Sequence, residues 1–69
     1  MFGAAENGLR RLLGPLELRI MEAVWAAGQP VAIRDICDQL AHEANPPAFT
    51  TVMTIMNRLV EKDFLLRSG

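Results

Sequence analysis

Between Phe49 and Lys62 the chain reads FTTVMTIMNRLVEK, and its side chains sort into two chemistries when wound at 3.6 residues per turn. Val52, Ile55, Met56, Leu59 and Val60 fall on one face. Thr50, Thr54, Asn57, Arg58 and Glu61 fall on the other, with Met53 at the border. Short hydroxyl and amide side chains let a helix come close to another surface. They offer donors, acceptors and methyls, the groups that read base edges in the major groove of DNA. The plainer alternative is an amphipathic helix with an idle polar face, although such a face usually carries Glu and Lys.

A second group of reactive side chains is Cys37, Asp38, His42 and Glu43. Cys37 and His42 are five positions apart, about 140° around a helix, and so diverge. Structural zinc needs four convergent ligands. Cys37 also sits on an apolar stripe, where cysteine acts as a small hydrophobe. No metal and no cofactor are expected. Asp38 and His42, at i and i+4, suit a weak surface pair.

An enzyme is excluded on content. The chain has no Tyr, a single His, and neither a Gly-rich phosphate loop nor a carboxylate pair facing a pocket. A single cysteine rules out an internal disulfide and fits a reducing compartment. No membrane span or secretory leader is present, so a cytoplasmic protein is expected. With 51% hydrophobic and 22% charged residues, the 69-residue chain reads as one small globular domain. Seven Lys/Arg against eight Asp/Glu give a net charge of −1, which works against nucleic acid as a partner. Distribution matters more than the sum, because binding depends on the face shown to phosphate. Arg10 and Arg11 form a basic pair, Arg58, Lys62 and Arg67 gather near the C-terminus, and Asp35, Asp38 and Glu43 crowd the middle.

The elements that must hold the Thr-rich stretch follow in order. Residues 1–12 carry two Gly and no sustained apolar period, and read as a flexible N-terminal arm. Pro15 suits the first position of a helix running to Ala27, with Gly28 as its left-handed stop. Leu16, Ile20, Ala23, Val24 and Ala27 form one stripe of that helix and Leu18, Met21 and Trp25 another, so it is central and packed on two sides. Val31 to Ile33 is β-prone but short. A second helix spans 33–42, with Ile36, Cys37 and Leu40 inward, and Asn45-Pro46-Pro47 ends it. The third helix spans 49–62. Asp63 stands where glycine would reverse the chain more cheaply, and Phe64 to Arg67 reads as a strand pairing antiparallel with Val31 to Ile33. Ile20, Val24, Ile36, Leu40, Val52, Ile55 and Leu59 are the expected core. The fold class is mainly α: a three-helix winged helix-turn-helix over 13–69 with a short two-stranded sheet and a truncated wing.

LGPLELRIMEAVW, PVAIRDICDQL and FTTVMTIMNRLVEKDFLLR strongly resemble the N-terminal domain of the penicillinase-repressor family, the BlaI/MecI/CopY group. The resemblance covers Leu13 to Arg67 and is most specific in IMEAVW and TTVMTIMNRL. It implies a bacterial, cytoplasmic, dimeric repressor that binds a palindromic operator on double-stranded DNA. The homodimer would form through a C-terminal domain absent from this sequence. The resemblance matches base-facing positions to Thr50, Thr51, Met53 and Thr54, and a basic position to Arg58. Three departures stand out: Ala32 where many members have Thr, Asp63 where Gly is usual, and the missing wing tip and dimerisation domain.

Chemistry adds to the list. Free N–H groups at the start of the third helix suit a phosphate. Met53 and the Thr methyls suit a thymine methyl, and Thr54 or Asn57 a base edge. Arg58, Lys62, Arg10 and Arg11 suit phosphate neutralisation. The expected DNA-binding set is therefore Thr50, Thr51, Met53, Thr54, Asn57, Arg58, Lys62, Arg10 and Arg11. A winged-helix protein-interaction module is the rival reading, supported by the net charge and by Met53.

Overall fold

Pro15 opens the first helix and Gly28, at φ 66°, closes it, so α1 spans Pro15–Ala27 in the computed structural model. The structure describes residues 1–5 and 12–68. Gly14 precedes α1 with no side chain to cap it, and its own N–H instead donates to Glu17 Oε1 at 2.9 Å. The same reach-back recurs at α2 (Ile33–Leu40), where the Ala32 N–H donates to Asp35 Oδ2 at 2.8 Å. Each helix thus has half of a reciprocal capping box.

Helix α2 stops at Leu40, two residues short of the expected end. Ala41 and Glu43 donate their N–H groups to Asp38 O and Leu40 O, bonds of the tighter i→i+3 kind that close a helix. Helix α3 (Phe49–Glu61) ends as sequence suggested, one residue early and with Asp63 held left-handed at φ 66°. The Asp63 N–H donates to Val60 O and the Phe64 N–H to Leu59 O, the paired bonds of a Schellman stop. That reversal sends Phe64 and Leu65, both buried, back under the helices.

Ile20 and Met21 of α1 and Val52, Met56 and Leu59 of α3 are fully buried, with Ile36 and Leu40 of α2 close behind. Helix α1 touches α2, α3 and the sheet, which accounts for its two apolar stripes. Ile55 departs from expectation. It is only partly buried, because it lies at the flank of α3's inner face where the neighbouring elements no longer cover it. Trp25 is likewise half-buried against the core.

The sheet is two-stranded as expected, but its strands are not the expected pair. Strand β1 (Phe2–Ala4) runs antiparallel to β2 (Leu65–Arg67), with Phe2 opposite Arg67, Gly3 opposite Leu66 and Ala4 opposite Leu65. Val31 does not reach β2. It exchanges both backbone hydrogen bonds with Phe2, at 2.6 and 2.8 Å, so β1 lies between Val31 and β2. The start of the segment read as a flexible arm is therefore part of the fold. Phe2 buries its ring to 6% exposure, and the Met1 ammonium donates to Ser68 O at 3.0 Å. An isolated aromatic among small residues was the available signal. A three-residue strand is too short to show alternation.

Candidate nucleic-acid interface

Helix α3 is turned so that Val52, Met56 and Leu59 seal the core, and this fixes what the opposite side presents. Thr50, Thr51, Thr54 and Arg58 are exposed, Met53 is 37% exposed, and Asn57 is half-buried. Thr50, Thr51, Thr54, Ile55 and Arg58 line an open concavity along one flank of the helix. Ile55, only partly buried against the core, is the apolar residue among them. Ala48 precedes α3 in extended conformation and makes no side-chain cap, and among the described residues the first α3 N–H with a backbone partner is that of Val52, donating to Ala48 O at 3.0 Å. The positive end of α3 is thus open on the side of the threonines.

The expected residues divide three ways. Thr50, Thr51, Met53, Thr54 and Arg58 share one exposed face, and among the described residues no ion pair engages Arg58. Asn57 shares that face, but its Oδ1 accepts a hydrogen bond from Arg67 Nη2. Lys62 is exposed at the end of the helix, and its Nζ lies 2.9 Å from Glu17 Oε2, joining the end of α3 to the start of α1. Glu17 is held below the ordinary carboxylate value, first by the Gly14 N–H and then by the Lys62 ammonium. Arg10 and Arg11 lie outside the described residues.

Two residues of this region escaped the sequence reading. Arg67 was visible as part of a basic cluster, yet only the return of β2 alongside α3 brings it to Asn57. Phe2 was set aside with the arm, and its ring lies 5.3 Å from the Arg67 guanidinium carbon. Glu61 also stands exposed on the outer face of α3, one turn beyond Asn57, and opposes any anion there.

Elsewhere the reactive groups are quiet. Cys37 is partly buried, and desolvation pushes its thiol upward, which disfavours the reactive thiolate. Among the described residues no group of three or more His, Cys, Asp or Glu converges as a metal site, and no helix is long and apolar enough to cross a membrane.

The family model described as penicillinase repressor matches residues 13–68. The chain belongs to the penicillinase repressor family. Members of that family are regulators and not enzymes. The chain is also 34% identical over 55 residues to a transcriptional regulator named BlaI from each of two Mycobacterium tuberculosis strains. That alignment takes in 80% of this chain and 39% of the relative, so the chain spans about two-fifths of the length of the curated regulators it matches. No solved structure gives a significant match. The family match begins at Leu13 and therefore leaves β1 outside it.

Proposed function

We propose that this domain is the DNA-reading part of a transcriptional repressor, with α3 entering the major groove of an operator. The observation that carries the proposal is the outer face of α3: Thr50, Thr51, Met53 and Thr54 are exposed together over its first two turns without a single acidic side chain among them. A helix with its side chains is about 10–12 Å across and the major groove about 12 Å wide, so short side chains are what permit entry. Thr hydroxyls can hydrogen-bond base edges, and Met53 and the Thr methyls can pack on a thymine methyl. The open N–H groups at Phe49 to Thr51 and the Arg58 guanidinium suit phosphates, which set register without reading sequence. Family membership and the two regulators named BlaI support the same reading.

In this reading two residues take supporting roles. Lys62, paired with Glu17, contributes to joining α3 and α1, and Asn57 supports Arg67. Thr50, Thr51, Met53, Thr54 and Arg58 remain the proposed contacts, while for Arg10 and Arg11 the basis is their charge alone.

Operator recognition by a homodimer belongs to the same proposal. Two copies reading a palindrome place their recognition helices roughly 34–36 Å apart, one DNA turn. The apolar sides of α2 and α3 are spent on the core, so a further segment has to join the copies. Linking the two raises affinity through effective concentration by about 10²–10⁴. The bare chain should therefore sediment as a monomer at tens of micromolar and bind one half-site weakly.

A gel-shift series with the intact chain on duplex from its own upstream region, against scrambled duplex and across salt, tests the proposal. Preference for the upstream duplex with a steep decline in affinity as salt rises is expected. Binding that is salt-insensitive and indifferent to sequence would instead favour the protein-interaction reading, to which Met53 and Phe49, 37% and 51% exposed, would then be assigned.

A further inference from the structure

We propose that Arg67 contacts the phosphate chain on the side of the groove opposite Arg58, and that Phe2, from the N-terminal strand, is the residue that positions it. The proposal rests on α3 reading DNA and adds a second, separately testable contact to that reading.

The placement of the two arginines follows from the helix. At roughly 100° per residue, Arg58 lies about 60° to one side of the line through Thr50 and Thr54, and Asn57 about 40° to the other. Arg67 donates to Asn57 Oδ1, so its guanidinium stands on the Asn57 side. The exposed threonine stripe is therefore flanked by one arginine from α3 itself and one from β2. A helix lying in a major groove meets the same geometry, with base edges ahead and a phosphate chain along each flank. Lys62 lies 2.9 Å from Glu17 and is left out of this pair of flanking contacts.

An arginine on a three-residue strand would ordinarily sweep a wide volume. Here two contacts restrict it. Phe2 and Arg67 are register partners across β1 and β2, and the Arg67 guanidinium carbon lies 5.3 Å from the Phe2 ring centroid. The ring is 6% exposed, fixed by its place in the core and by the double backbone bond of Phe2 to Val31. Asn57 holds the guanidinium from the other direction. Guanidinium has five N–H donors in one plane, and stacking on a ring engages its face and leaves the edge donors available. After one N–H is given to Asn57, the rest suit a phosphate, bidentate if the strand lies close. Less conformational freedom remains to be lost on binding.

Phe2 lies outside the stretch that the family model matches, whereas Arg67 lies within it. It also assigns a use to β1, which otherwise only fills the sheet.

The test measures binding of Arg67→Ala, Phe2→Leu and the double variant to upstream and scrambled duplex across salt, with the melting temperature of each. Arg67 is exposed, so Arg67→Ala keeps the fold. It should weaken binding to both duplexes roughly three- to tenfold and lower the salt slope by about 0.9, one phosphate's share. Phe2→Leu retains an apolar plug without the ring. It should weaken both duplexes less than Arg67→Ala does, and should have no further effect when Arg67 is already alanine. An unchanged affinity and slope in Arg67→Ala, with a steep wild-type slope, would overturn this proposal and leave the DNA reading standing. A Phe2→Leu effect undiminished in the double variant would remove Phe2 as the positioning residue. Absence of salt-dependent binding in the unaltered chain would overturn both readings at once.

Discussion

On their inner sides α2 and α3 are alike: Ile36 and Leu40 on one, Val52, Met56 and Leu59 on the other, are each at most 2% exposed. On their outer sides they part. Helix α2 presents Arg34, Asp35, Asp38 and Gln39, while α3 presents Thr50, Thr51, Met53 and Thr54 before reaching its first charge at Arg58. The inner faces share one core and are bound by the same demand for apolar fit. The outer faces are free to differ, so their difference carries the functional information. Charges on α2 suit water. Two turns of uncharged side chains on α3, three of them short threonines, hold water less strongly than charges do and are suited to close approach. The acidic surplus of the chain is thereby kept off the α3 N-terminal half, and a net charge of −1 is compatible with a surface that meets phosphate.

The largest expected effects lie on the shared inner side. Leu59→Ala should cost about 2–5 kcal/mol, a large fraction of the stability of so small a domain. Ile55→Ala should cost about 1 kcal/mol, since part of that side chain already meets water. Denaturant melts of the two variants check the contrast, and equal losses would mean that Ile55 belongs to the sealed core after all.

On the outer sides the contrast should appear in binding. Thr54→Ala is expected to lose about 1–3 kcal/mol on the preferred duplex and little on scrambled DNA. Asp38→Ala, on the outer face of α2, should alter neither preference nor stability beyond about 0.5 kcal/mol. Titrations with both duplexes decide it. Equal losses on both duplexes for Thr54→Ala would make Thr54 a backbone contact.

Smaller effects concern how the two helices end. Helix α2 closes with i→i+3 bonds, whereas α3 forces Asp63 to φ 66°, a conformation glycine adopts without strain. Asp63→Gly should raise stability by up to about 1 kcal/mol, read as a rise in melting temperature with β2 and its contacts unchanged.

Much of this was legible beforehand, for reasons visible in single residues. Pro15, Gly28 and the Pro46-Pro47 pair punctuate the helices, and the 3.6-residue period of α3 separates its inner and outer faces. The strand pairing was not legible. Val31 and Leu65 are both β-prone and nothing local says which partner each takes; Phe2 decides it by bonding to Val31 and lying opposite Arg67. Side-chain traffic across elements was equally hidden: Lys62 to Glu17 spans 45 positions and Arg67 to Asn57 spans 10, and neither spacing leaves a periodic trace.

The smallest expected effect is acid sensitivity at the junction of α1 and α3. Glu17 has a folded-state pKa below its ordinary value of 4.5, so its contribution is fully present above that value. It is lost as the pH falls through the lowered value. The stability difference between the native chain and Glu17→Gln should hold constant above pH 4.5 and narrow below it. A difference that persists unchanged into strong acid would mean that the Gly14 and Lys62 contacts contribute nothing through charge.

The most direct measurement is a nuclear magnetic resonance titration of the isotope-labelled chain with duplex from its upstream region. Amide shifts should concentrate at Phe49 to Arg58 and at Arg67, with Arg34 to Gln39 on α2 left in place. Shifts centred on α2, or spread evenly over both helices, would contradict the assignment of DNA reading to the outer face of α3.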